Sequence, residues 1–112
     1  MSTKINILGT EYTILEQSES ENPKLKDANG LCEMYSKEII IDKMEYAKDD
    51  VMTINNLAEF KSKVLRHEII HAFLAESGLR NNSTWAENEE MVDWIAIQFP
   101  KMLKVFNELK LL

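Results

Sequence analysis

Between Asn56 and Gly78 the chain carries one unbroken helical signal, and the rest of the molecule has to pack around it. Leu57, Phe60, Val64, His67, His71 and Leu74 recur three or four residues apart, the spacing of one helix face. Asn56 can cap the start, with Glu59 three residues on as its reciprocal partner. Gly78 marks the left-handed stop, and Leu79 supplies the hydrophobic contact beyond it. A chain of 112 residues can build one core, so residues 1–112 are expected to form a single domain.

Short β signals precede this helix. Ile5 to Ile14 alternate in part and read as a hairpin with a tight turn at Gly9-Thr10. Glu16 to Asn29 are polar, include Pro23, and form a loop. Gly30 leads into L-C-E-M-Y, a short strand. Ser36-Lys37 make the turn, and E-I-I-I-D returns as a second strand. Ile39, Ile40 and Ile41 are all β-branched, so that strand belongs inside the sheet. Lys43 to Thr53 fit either a loop or a short helical turn. After Gly78, Arg80 to Ser83 read as a polar loop. Thr84 opens another helix, with Glu87 as the third position of a capping box. Pro100 must end or kink that helix, because proline has no amide hydrogen and crowds the preceding turn. The segment from Lys101 to Leu112 then packs as a short terminal helix. Strands first and helices after give an α+β arrangement. Met34, Met44, Met52, Met91 and Met102 read as gap-fillers of a small core, and Trp94 as core.

Residues 66 to 72 read R-H-E-I-I-H-A, and His67 and His71 are the only histidines in the chain. Four apart on a helix, they project from one face, one turn above the other. Zinc takes nitrogen ligands at about 2.0–2.1 Å in a tetrahedron, and such a pair spans two of its corners. Glu68, one residue after His67, is offset from that point and suits holding a water bound to the metal. Zinc lowers the pKa of bound water to about 7, and a neighbouring carboxylate can take its proton. This is the mechanics of H-E-x-x-H in metallopeptidases.

A catalytic zinc needs a third protein ligand and an open fourth position. No histidine is left to supply it. Cys32 could, although a lone cysteine on a strand reads first as a small buried hydrophobe. The carboxylates of W-A-E-N-E-E-M-V-D-W are the stronger candidates: Glu87, Glu89 and Glu90. Acidic residues in a first helical turn also complement the helix dipole, and Glu87 is accounted for by the capping box. Glu89 differs, because Asp93 four residues on puts two like charges on one face. A metal system removes that cost if Glu89 binds zinc and Asp93 holds a ligand histidine through its other ring nitrogen.

The run N-E-E-M-V-D, residues 88 to 93, resembles the N-E-x-x-x-D element of thermolysin-like gluzincins. That likeness implies Glu89 as third zinc ligand and Asp93 as the residue behind a histidine. From about Gly30 to Pro100 the chain resembles the short zincin-like proteins of bacteriophages and prophages, similar in turn to minigluzincins and the ImmA/IrrE-type metallopeptidase domain. The resemblance implies a small zincin-like domain. N-terminal hairpins would form a sheet whose edge strand lies beside the metal, followed by the H-E-x-x-H helix and the glutamate helix. It also implies a peptide substrate that can add to that edge strand. The chain departs from the thermolysin pattern in one respect. No tyrosine or histidine follows Glu89, since Tyr12, Tyr35 and Tyr46 lie upstream. The group that stabilises an oxyanion is thus unassigned.

The expected function is zinc-dependent peptide hydrolysis, with His67, His71 and Glu89 on the metal and Glu68 as base. The alternative is a zincin-fold protein without useful catalysis, acting as a regulatory binding module. A net charge of −6 with no basic cluster argues against nucleic acid or an anionic membrane as partner. No apolar run approaches the roughly 18 residues of a membrane span, and the start lacks a signal-peptide core. With a single cysteine, the expected compartment is the cytoplasm. The sequence sets no oligomeric state.

Overall fold

A computed structural model describes residues 2–45 and 55–112. Tyr46, Met52 and most of the Lys43–Thr53 stretch lie outside the described residues. Strand β1 (Ser2–Ile7) pairs antiparallel with β2 (Thr10–Gln17), and Ile7 closes the hairpin opposite Thr10. The turn is therefore Leu8-Gly9, one residue earlier than the sequence suggested. Both residues have positive φ, 49° and 94°, which is the mirror-image turn whose twist matches the strands. Asn6 steadies it by accepting a hydrogen bond from the Gly9 amide at 2.8 Å.

The chain then crosses the sheet. Residues 18–29 contain a single helical turn, Pro23–Leu25, whose Leu25 is buried. Strand β3 (Gly30–Glu33) and strand β4 (Glu38–Asp42) form the second hairpin, with Glu33 opposite Glu38. That register puts the turn at residues 34–37, with Lys37 left-handed at φ 59°, so Met34 and Tyr35 leave the strand. Strand β4 inserts parallel to β2, and the sheet order is β1-β2-β4-β3. The central position explains Ile39-Ile40-Ile41. Ile39 and Ile41 join the core with Ile7, Tyr12, Met44, Val64 and Ala72, while Ile40 is buried on the other face. Among the described residues, strand β3 is left at an edge, paired only to β4.

Helix α1 (Leu57–Glu76) starts at Asn56, whose side chain accepts from the Glu59 amide at 3.2 Å. The reciprocal half of the capping box is absent: the Glu59 carboxylate turns to Arg66 at 3.4 Å. At the far end Gly78 takes φ 84°, as a left-handed stop requires. Beyond it comes a short helical turn, α2 (Leu79–Asn82), in place of the expected loop. The end of α1 is tied to the sheet by Glu76, which accepts from the buried Tyr12 hydroxyl at 2.7 Å and from Lys37 at 2.9 Å.

Helix α3 (Glu89–Glu108) departs from expectation at both ends. It starts at Glu89, not Thr84, because Asn88 is the cap and accepts from the Met91 amide at 2.8 Å. Asparagine is a better cap than threonine, and residues 84–87 remain outside the helix. The helix also continues through Pro100, so the segment after it is no separate helix. A proline at 100 leaves the carbonyl four residues back, on Ala96, without its helical donor. Arg66 Nε donates to that carbonyl at 2.7 Å. The missing backbone hydrogen bond is thus replaced from α1. Trp94, expected in the core, is more than half exposed, and Met102 is exposed too. Met44 is buried, and Met34 and Met91 are half-buried. Elements follow the α+β order, and among the described residues no helix is long and apolar enough to cross a membrane.

Two expectations follow. Arg66→Met should cost about 1–2 kcal/mol by urea unfolding, since it strips a buried carbonyl of its donor. In a Pro100→Ala background, where residue 100 regains its amide hydrogen, the same change should cost clearly less. Equal costs in both backgrounds would show that Arg66 and Pro100 are uncoupled. The second concerns Glu76, which the hydrogen bonds of Lys37, Tyr12 and Thr10 hold down to about 2, against an ordinary 4.5. A carboxylate with a depressed folded pKa stabilises above its unfolded value. The stability gap between parent and Glu76→Gln should therefore be full above pH 4.5 and shrink as the pH falls toward 2.

Candidate metal centre

Helical spacing delivers three side chains of α1 to one face. Lys63, His67 and His71 stand four residues apart, and all three act on α3 or on one another. The two Nε2 atoms of His67 and His71 approach to 3.2 Å. The carboxylate of Glu89, on the first residue of α3, reaches both: Oε2 lies 3.0 Å from His67 Nε2 and Oε1 lies 2.8 Å from His71 Nε2. Glu68 stands further out, with its nearest oxygen 4.0 Å from His67 Nε2. His67, Glu68 and His71 offer ligand atoms all within 4.8 Å of one another, close enough to hold a metal ion.

The hydrogen bonding behind His67 decides what that convergence needs. Its Nδ1 lies 3.0 Å from Asp93 Oδ1, which also accepts from Lys63 Nζ at 2.9 Å. Burial pushes the Asp93 carboxyl up, but the bonds from Lys63 and His67 outweigh it and hold the group below its ordinary value. An ionised Asp93 can only accept, so the Nδ1 proton of His67 donates to it. In the neutral ring that leaves a lone pair on Nε2, aimed at a carboxylate oxygen and at a second imidazole nitrogen. His67 Nε2, His71 Nε2 and the Glu89 carboxylate thus stand within 3.2 Å of one another, an arrangement that either a proton on His71 Nε2 or a bound cation satisfies. Burial disfavours the charged, doubly protonated form of His71, while its neutral ring can still carry a proton on Nε2 and donate it to Glu89 Oε1 at 2.8 Å. A metal ion is compatible with the cluster of His67, Glu68 and His71. Ligands at about 2.0–2.1 Å in a tetrahedron stand about 3.3 Å apart, near the spacing found.

Burial sets the state of Glu68. Only 8% exposed, its carboxyl is pushed up to about 7, mainly by desolvation. Gly30 makes that position possible. A Cβ there would lie 3.0 Å from Glu68 Cγ and 3.0 Å from Val64 Cγ1, so any larger residue would crowd these side chains and push them back from the edge strand.

The other carboxylates divide cleanly. Glu87 sits outside α3 and pairs with Arg80 at 3.1 Å, so the capping box expected of it does not form. Glu90 is exposed on the next position of the helix. Cys32 faces the site across the cleft, but burial, with the Glu68 charge behind it, pushes its thiol up to about 11.

The cleft runs along β3 in two parts that share Gly30, Glu68 and Glu89. One, of about 290 Å³, extends past Lys63 and Asp93 toward Asp27 and Asn29. The other, of about 190 Å³, extends past His71 and Cys32 to Arg80. Sequence reasoning missed both cations. Lys63 was legible, being one helical turn before His67. Arg80 was not, because nothing in its local pattern shows that a short helical turn carries it back to the cleft. Compared with known protein families, with curated proteins and with solved structures, the chain matches none.

Metal titration should separate the three glutamates. Glu89→Gln should weaken binding of zinc or cobalt strongly, as should His67→Ala and His71→Ala. Glu87→Gln and Glu90→Gln should leave it within a few-fold of the parent. Removal of the metal by Glu90→Gln but not by Glu89→Gln, in competition with a chelating dye, would place the third ligand one residue along.

Proposed function

We propose that the chain is a zinc-dependent peptidase of gluzincin type, built on a zincin-like domain and working in the cytoplasm. The observation that carries this reading is the convergence of His67 Nε2, His71 Nε2 and both Glu89 oxygens on one point, with Glu68 beside it. Two histidines and a carboxylate are the donor set of a catalytic zinc and leave one position open. Zinc held there supplies a Lewis acid and an acidified water. The resemblance of H-E-I-I-H and N-E-E-M-V-D to short phage gluzincins points the same way.

The chain's own residues divide the remaining work. Asp93 fixes the tautomer and orientation of His67, and Lys63 keeps Asp93 ionised. Glu68 is the general base, taking the proton of the attacking water and giving it to the leaving amine. Its burial favours the neutral acid, and a bound divalent cation favours the carboxylate, so the group sits where a proton can move both ways. Arg80 fills the role that the missing tyrosine and histidine leave open. Its guanidinium lines the cleft with Glu68 and His71 and pairs with Glu87, so it offers a positive charge to a carbonyl bound in that part of the cleft. An extended peptide fits beside β3, whose outer edge is unpaired among the described residues.

Catalysis is tested with casein, a peptide library and the protein's own termini as substrates. Glu68→Gln should keep zinc and fold and lose cleavage by about 10²–10⁴-fold. Arg80→Met should also keep zinc and lower kcat by about 10²–10³-fold, with Arg80→Lys recovering part of it. Full zinc occupancy with no cleavage by the parent across the library would instead favour a regulatory module that keeps the metal and binds a partner.

A further inference from the structure

The distal half of α3 is an amphipathic helix whose apolar face is left largely open to solvent. Every residue from Phe99 onward is exposed. Phe99, Met102, Phe106 and Leu109 follow at alternating steps of three and four, continuing the stripe that begins with Val92 and Ile95. Leu103 and Val105 widen it on either side. Pro100, Lys101, Lys104, Asn107 and Glu108 occupy the opposite face. The end is properly closed: Lys110 is left-handed at φ 57°, and the Leu111 amide donates to the Phe106 carbonyl at 2.9 Å. So short a helical extension is marginal in water without packing. A capped helix with a broad bare stripe therefore needs a cover.

The same chain carries a matching cavity. Between α1 and α3 lies a groove of about 430 Å³, walled by Ile69, Ile70, Phe73 and Leu74 of α1 and by Ile95 and Phe99 of α3. We infer that two copies of this chain pair about a two-fold axis, each laying the distal half of α3 into the α1–α3 groove of the other. A knob and a groove on one chain, continuous through Phe99, are self-complementary, as a two-fold interface requires. The product is a four-helix layer of two α1 and two α3 helices. A stripe wider than a simple coiled-coil seam suits such a bundle.

The area is of the right size. Phe73, Phe99, Met102, Leu103, Val105, Phe106 and Leu109 are 37–65% exposed. At about 200 Å² for each large side chain they open on the order of 600 Å² per copy. That is most of the roughly 800 Å² that one partner gives a standard interface. The radius of gyration, 15.1 Å, exceeds the roughly 13 Å of a compact domain of this length, as a protruding helix would make it. An anionic bilayer fits less well. A membrane surface cannot enter a groove, and the lysines of this segment, Lys101, Lys104 and Lys110, fall short of the 4–8 basic residues of a polybasic anchor. The inference stands apart from the metal site and from the peptidase reading.

Sedimentation velocity of the full chain tests it. At micromolar concentrations, which interfaces of this size reach, the parent should run at twice its 13.0 kDa mass. Phe106→Lys, on the knob, and Phe73→Lys, in the groove, should each give a monomer with unchanged far-ultraviolet circular dichroism. Tyr35→Lys, on the β3–β4 turn, should leave the dimer intact. A monomeric parent would overturn the inference, as would a dimer that survives both lysine substitutions. Binding of a monomeric parent to phosphatidylserine vesicles, lost in Phe106→Lys, would assign the face to a membrane instead.

Discussion

The carboxylate of Asp93 accepts from Lys63 and from His67, and so fixes α3 across α1 at the height of the two histidines. Remove that link and little else holds Glu89 in place, since its side chain is mostly exposed and sits on the first residue of its helix. The bond from Arg66 to the Ala96 carbonyl is the second fastening, three residues further along α3. Two neighbouring attachments define both the distance and the rotation of one helix against another. Glu89 is then carried to the histidines as a consequence of the packing. Lys63, Arg66, His67 and Asp93 therefore serve the site through geometry as much as through charge.

The sheet contributes closeness. Strand β4 takes an inner position and buries three isoleucines, which leaves β3 at the edge of the sheet, unpaired on its outer side among the described residues. Gly30 removes the side chain that would hold the helix away, and Glu68 occupies the space gained. Burying a carboxylate there has a cost, seen in the upward shift of its pKa. A fold selected for stability alone would place an apolar residue at that position. A buried glutamate next to two converging imidazoles is the feature on which the proposed role of Glu68 rests. The long α3 raises a parallel question, since the stripe on its distal half is exposed. Local consistency of caps and spacing there agrees with a helix formed to meet a second surface.

Much of this was legible in the sequence, because the signals concerned are short-range. The span of α1 followed from its period, its Asn56 cap and its Gly78 stop, all set by neighbouring backbone groups. The placing of His67, Glu68 and His71 on one stretch of helix followed from the spacing alone. The two hairpins and the burial of Ile39-Ile40-Ile41 followed from β-branching and turns. The errors were of the same local kind. Thr84 was taken for a cap that Asn88 supplies, and Leu8-Gly9 form the turn one residue before the place expected.

What only the tertiary structure decided lies in pairs far apart in sequence. Pro100 should have stopped α3, yet the donor that excuses it comes from Arg66, 34 residues earlier. Parallel pairing of β2 with β4 placed β3 at the edge, a choice that no single strand's pattern contains. Arg80 reached the cleft because a helical turn and the Glu87 carboxylate direct it there. The exposure of Trp94 likewise depended on which face of α3 turns to α1, since Asp93 and Ala96 on either side of it are the residues that meet Lys63, His67 and Arg66. Sequence determines what each segment can be, since caps, periods and turns act over a few residues. Which segments meet, and therefore which donors and charges converge, is settled only when the whole core closes.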